Sequence, residues 1–169
     1  CAQAGATTTQ IAGDKLIQDV EVEIGGQRID KHYQEWMQVW TELTTPASKT
    51  AGTKYMTGGF SNTLLTNGTN GGTGQNVVQV PLQFWFCRNP GLALPLIALQ
   101  YHEVKLKFTW GAGTAQGVSS DAKVLCDYIY LDTDERRRFA QVSHEYLIEQ
   151  IQKQTLGGTD SEKLNFNHP

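Results

Sequence analysis

The alternation of apolar and polar positions becomes regular at Leu16–Ile24. In "LIQDVEVEI", Val20, Val22 and Ile24 face one way and Asp19, Glu21 and Glu23 the other, the period of two of a half-buried strand. "GGQ" ends it in a turn. In "DKHYQEWMQVWTEL" the period changes: Tyr33, Trp36, Trp40 and Leu43 recur at three and four, the stripe of a short amphipathic helix, with Asp30 as its N-cap. Residues 44–76 are polar, and "TNGTNGGTGQN" is too rich in Gly, Asn and Thr for regular structure. Within that segment "TKYMT", Thr53–Thr57, reads as a short strand.

From Val77 the period of two returns. Val78, Val80, Leu82, Phe84 and Phe86 share one face, Gln79, Pro81, Gln83 and Trp85 the other, and Pro81 marks an edge strand or a bulge. "RNPG" is a turn signal, and "LALPLIAL" is too short and proline-broken for a long helix. "YHEVKLKFTW" alternates again, with Val104, Leu106, Phe108 and Trp110 set against Glu103, Lys105 and Lys107. After the loop "GAGTAQGVSSDAK", "VLCDYIYL" (Val124–Leu131) is apolar on both faces except Asp127, as an inner strand would be. "DTDERRRFAQ" reads as a capped helical turn, its acids early and its arginines late. "VSHEYLIEQIQ" fits two templates, helix through Leu147, Ile148 and Ile151, strand through His144, Tyr146 and Ile148. "TLGGTDSEKLNFNHP" reads as a linker. Several alternating strands, short helices and long Gly-rich loops predict an all-β, antiparallel sandwich rather than alternating β-α units.

Composition narrows the function. The chain has 169 residues, 39% hydrophobic and 18% charged, enough for a domain with its own core. A formal net charge of −3 supplies no global field for nucleic acid. The longest uncharged apolar run, Gly91–Leu99, holds a proline and falls far short of the roughly 20 residues of a spanning helix. The opening "CAQAGATTTQ" has neither the basic region nor the apolar run of a secretory signal. With no initiator Met and an end at Pro169, the sequence reads as a piece of a longer chain. Cys87 and Cys126 lie in apolar strand patterns and are expected to be buried reduced thiols, which suits a reducing compartment.

Candidate chemistry is sparse. Cys87 or Cys126 with His32, His102 or His144 could make a thiolate–imidazole pair, but none lies in a recognisable motif and an apolar setting raises a thiol pKa. His144-Glu145 lacks the second histidine of a helical zinc site, and "DTDE" lacks the remaining spacing of a calcium loop. "GGTGQN" precedes a strand and carries no phosphate-loop lysine. No enzyme, metal or cofactor is expected. The concentrated cations, Arg136, Arg137 and Arg138, stand near Asp127, Asp132, Asp134 and Glu135, which points to local or intersubunit ion pairing. Asn67-Gly68-Thr69 is a candidate glycosylation sequon.

Four stretches in order, "LIQDVEVEIGGQRIDKHYQEWMQVWTELT", "VPLQFWFCRNPGLALPLIALQYHEVKLKF", "CDYIYLDTDERRRFAQVSHEYLIEQIQ" and "LNFNHP", resemble the major capsid proteins of the nucleocytoplasmic large DNA viruses, with their phycodnavirus-like and mimivirus-like members. The resemblance covers about half of the chain. It implies a double jelly-roll subunit, two eight-stranded sandwiches in one chain, three chains forming a pseudo-hexameric capsomer of an icosahedral shell. Residues 1–160 then correspond to the first jelly roll without its first strand, and 161–169 to the linker toward a missing second one. "VSHEYLIEQIQ" becomes a strand, and residues 57–76 and 111–121 become tower or surface loops. Partners are other copies in a homotrimer, neighbouring capsomers and minor capsid proteins, with no direct nucleic acid and only indirect contact with an internal membrane. The location is the virion, assembled in host cytoplasm. Arg136, Arg137 and Arg138 are the first candidates for intersubunit contact, Trp36 and Trp40 the second. The alternatives are a minor capsid or scaffold protein of the same fold, or a carbohydrate-binding jelly roll using Trp85 or Tyr101.

Overall fold

A computed structural model describes residues 16–57, 79–111, 122–158 and 161–166. Gly25 and Gly26 settle the first feature. Both take positive φ, +60° and +84°, as a two-residue turn between right-twisted strands requires. They join β1 (Ile17–Ile24) to β2 (Gln27–Tyr33) as a hairpin. A third strand, β3 (Val104–Trp110), lies on the other side of β1, giving the order β2-β1-β3. The register of β3 follows from its contacts. Gly25 N donates to Glu103 O at 3.0 Å, Lys107 Nζ pairs with Glu23, Thr109 Oγ1 donates to Asp19 Oδ1 at 2.8 Å, and Gly111 N donates to Leu16 O at 2.8 Å. Rising numbers on β3 meet falling numbers on β1, so the pair is antiparallel.

Helices fill the connections: α1 (Gln34–Thr44), α2 (Thr50–Thr57), the single turn α3 (Trp85–Arg88) and α4 (Thr133–Gln141). The described residues sort into two compact units, one from residues 16–20, 33–57, 79–83, 108–111 and 122–130, the other from 21–32, 84–107, 131–158 and 161–166. In the first, Ile17, Val20 and Met37 are buried. In the second, Val22, Phe84 and Trp85 are buried, together with Asp30 and His32.

Several sequence expectations hold. Val20 and Val22 are fully buried, and β3 alternates half-buried Val104, Leu106 and Phe108 with exposed Lys105 and Lys107. In α4, Asp132 and Glu135 form a capping box, each side chain accepting from the other's end of the first turn. Others are corrected. Asp30 caps no helix; it lies inside β2, a strand the apolar pattern hid because its buried positions are Asp30 and His32. The buried side of α1 centres on Met37, so Leu43, expected in the stripe, is exposed. "TKYMT" belongs to α2, where Thr53 and Thr57 hydroxyls donate to the carbonyls four residues back.

The run from Val77 to Phe86 is not a strand where it is described. Residues 79–83 are irregular and Trp85 starts α3. A strand would send the neighbouring Phe84 and Trp85 to opposite faces, but both are buried, which a helical turn allows. Val124–Leu131 and the stretch from 143 to 151 have no ladder partner among the described residues. The expected inner strand is solvent-facing, with Leu125 and Tyr130 both 86% exposed. Cys87 and Cys126 are exposed thiols rather than buried ones. Asn67 and most of the expected tower loops lie outside the described residues.

Candidate assembly surface

The most buried polar groups are structural. Asp30 Oδ1 accepts from Lys31 N at 2.8 Å and from Ile151 N at 3.0 Å. Asp30 Oδ2 lies 2.9 Å from His32 Nε2, close enough for a charge contact but without the alignment of a good hydrogen bond. The His32 ring stacks on Phe84, centroids 4.2 Å apart and planes inclined by 20°, and its Nδ1 is buried with no partner among the described residues. Gln150 Nε2 donates to Ile29 O. A carboxylate on β2 thus takes the place of a ladder acceptor and fastens a segment more than a hundred residues away. Arg88 pairs with Glu149 beside this clasp. No signal in the sequence isolates Asp30 and Ile151 as partners.

The histidines considered for catalysis are engaged in packing. His32 is in the clasp, His102 lies against Gly25, and His144 Nε2 meets Phe139 O at 2.7 Å. No group of three or more His, Cys, Asp or Glu among the described residues could hold a metal, and no described helix is long and apolar enough to cross a membrane. Trp85 is 6% exposed, buried between Phe84 and Phe86, so it cannot stack on a glycan, whereas Tyr101 is exposed.

The candidate contact residues fall on two helices. Arg136, Arg137 and Arg138 are all exposed on α4. Arg136 Nε donates to Leu131 O at 3.1 Å, and Arg137 reaches Asp134 at 3.5 Å, an exposed pair worth at most about 1 kcal/mol. Arg138 makes no ion pair among the described residues. Of the acids expected to neutralise this cluster, Asp134 does so through Arg137, whereas Asp132 and Glu135 cap the helix. Trp36 and Trp40 lie one turn apart on α1, half-buried, ring centroids 5.5 Å apart. Trp36 Nε1 is buried with no acceptor among the described residues. Beside them Val39 and Leu43 are exposed, apolar contact candidates that the stripe had assigned inward or passed over. Lys105 stands beside Glu103 on the approach to β3. The Glu103 carboxylate accepts its hydrogen bond and holds its pKa above the ordinary lysine value.

Polar groups fasten chain segments in the interior, and cations and apolar side chains stand exposed on helices, an arrangement that suits a structural protein. The comparisons make the class specific: the chain belongs to the major capsid protein family, whose N-terminal region ("Major capsid protein N-terminus") matches residues 2–132. It is 58% identical to a major capsid protein of Pyramimonas orientalis virus over 95% of this chain and 42% of that protein. It is 44% identical to a major capsid protein of Paramecium bursaria Chlorella virus 1, over 96% of this chain and 40% of the relative. Among solved structures, that virus's VP54, fitted into a reconstruction of the virophage Sputnik, superposes with a TM-score of 0.62 at 44% identity, covering 83% of this chain and 35% of that one. The chain spans about two fifths of the length of these curated relatives.

Proposed function

We propose that this chain is the first jelly-roll portion of a major capsid subunit, one that builds the shell of a large DNA virus as trimeric, pseudo-hexameric capsomers. Residues 1–160 make up that first jelly roll and 161–169 lead toward the second. The observation that carries the reading is the combination of 58% identity along 95% of the chain with a three-dimensional likeness to a capsid protein. Exposed Arg136, Arg137 and Arg138 supply cations for acidic groups on a neighbouring copy, and exposed Val39 and Leu43 beside the Trp36–Trp40 pair supply apolar area. Protein interfaces draw on both kinds of side chain, apolar and aromatic ones where water is excluded and charged ones where it is not. The site is the virion, and the partners are further copies of the subunit and minor capsid proteins.

Native mass spectrometry of the complete subunit from purified virions tests this. Three-fold particles are expected, and a subunit that stays monomeric at high concentration overturns the reading. The same preparation separates a lattice protein from a minor component, because the lattice protein dominates the virion by mass.

A further inference from the structure

Residues 89–101, "NPGLALPLIALQY", carry no acidic or basic side chain, and none of them is buried. Leu96 is 49% exposed and Tyr101 87%. The backbone of this loop is nevertheless held in place. Asn89 Oδ1 accepts from Gly91 N at 2.9 Å, and Leu92 N donates to Asn89 O at 2.9 Å. Leu99 N donates to Pro95 O at 3.1 Å and His102 N to Leu99 O at 2.8 Å. Glu103 O, which accepts from Gly25 N, ties the end of the loop to the β1–β2 turn. These turns take up backbone groups that a strand would offer to a neighbour, so the loop wants cover for its side chains rather than a ladder. An apolar surface ordered before it is covered is suited to a contact.

We propose that residues 89–101 lie at the three-fold axis of the capsomer, where the loop meets the same loop of two further copies. This rests on the capsid-subunit reading above and assigns a surface which that reading leaves unused. The charge pattern selects the occupant. A surface that meets a different segment can carry charges, provided that opposite ones face them. About a three-fold axis each residue meets its own copies, so any charge there stands beside two like charges. Such a position favours a surface free of charge. The other exposed apolar stretches do not qualify. Exposed Asp127 lies between Leu125 and Ile129, Glu42 adjoins Leu43, and Glu145 is two residues from Leu147. A formal net charge of −3 makes copies of the chain repel one another on average. The loop lets them meet with no charge to desolvate.

Substitutions at Leu96 in the complete subunit test the proposal, with native mass spectrometry as the readout. The unaltered subunit is expected to give trimers. Leu96→Asp and Leu96→Lys should each lower the ratio of trimer to monomer by at least about 100-fold, and the uncharged Leu96→Gln far less. Mixed in equal amounts, the Asp and Lys variants should form trimers that contain both, because opposite charges then face each other across the axis. Mixing changes neither chain's sequence, so this rescue reads contact between copies and not repair of a damaged fold. Trimers undiminished by either charged variant overturn the proposal and leave the assembly reading standing. Equal loss in all three variants, or no rescue in the mixture, assigns the loop to a different segment of the subunit and overturns it as well. An unaltered subunit that stays monomeric sinks the assembly reading, and the place of the loop with it.

Discussion

β1 and the stretch from Ala122 to Tyr130 are similar in length and both rich in β-forming residues, yet their environments are opposite. In β1, Val20 and Val22 have no exposure, and strands lie on both sides. In the second stretch, Leu125 is 86% exposed and the backbone has no ladder partner among the described residues. The difference is in neighbours, not in propensity. A preference for the pleated conformation describes how well a residue fits a half-buried surface, and the surface must be supplied by other chain segments. β1 receives one neighbour through the shortest connection available, the Gly25-Gly26 turn, and another from β3.

Matched substitutions break or sharpen that contrast. Val22→Asp places an uncompensated carboxylate in a fully buried site and should cost about 4 kcal/mol or more, enough to unfold a marginal domain. Leu125→Asp should change the stability of the isolated chain by less than about 0.5 kcal/mol, because its side chain already faces water. Urea denaturation of both variants gives the comparison directly. Equal losses would mean that the two stretches are equally packed, and the contrast would fail. Asp30→Ala comes next. It removes the acceptor of Ile151 N and the partner of His32 from a buried site, with an expected loss of about 3 kcal/mol. Exchange of the Ile151 amide should rise with it; an unchanged amide would show that the clasp does not hold that segment.

A smaller effect is expected at the hairpin. Gly25 has a φ of +60°, and a Cβ there would approach His102 Nδ1 to 2.7 Å. Gly25→Ala should therefore cost about 1–3 kcal/mol. Gly26, also at positive φ but with open space around it, separates strain from contact. If Gly26→Ala costs as much as Gly25→Ala, the His102 approach contributes nothing.

The features legible in the sequence are those set by near neighbours. Alternation gave β1 and β3, the glycine pair gave the turn, and the order of acids and arginines gave α4 with its Asp132 cap. The hidden features are non-local. β2 carries Asp30 and His32 inward, and what makes their burial tolerable is Ile151 and Phe84, distant in sequence. Read locally, Asp30 before a helical stripe is an N-cap. The consecutive Phe84 and Trp85 are both buried, which defeats any period of two. The candidate surface was legible in part. Exposed arginines are a compositional signal, but the outward turn of Leu43 depends on Met37 taking the centre of the buried side of α1.

The smallest expected effect belongs to the solvent side of β3. Lys105 Nζ lies 3.0 Å from Glu103 Oε2, both groups well exposed, and the hydrogen bond to that carboxylate raises the lysine pKa. A pKa raised in the folded state contributes stability that is fully present below the unfolded-state value, about 10.4, and is lost as pH rises through the folded one. Glu103→Gln should return Lys105 toward its ordinary value in an NMR titration of the side chain. Any difference in stability that this pair makes between the two proteins should be present at neutral pH and disappear in strong alkali. High salt should shrink the shift, because exposed charges are screened. A Lys105 titration unmoved by Glu103→Gln would transfer the raised pKa to Glu23, the other carboxylate that acts on it. That outcome would place the charge of β1, rather than that of the approach to β3, in control of this edge.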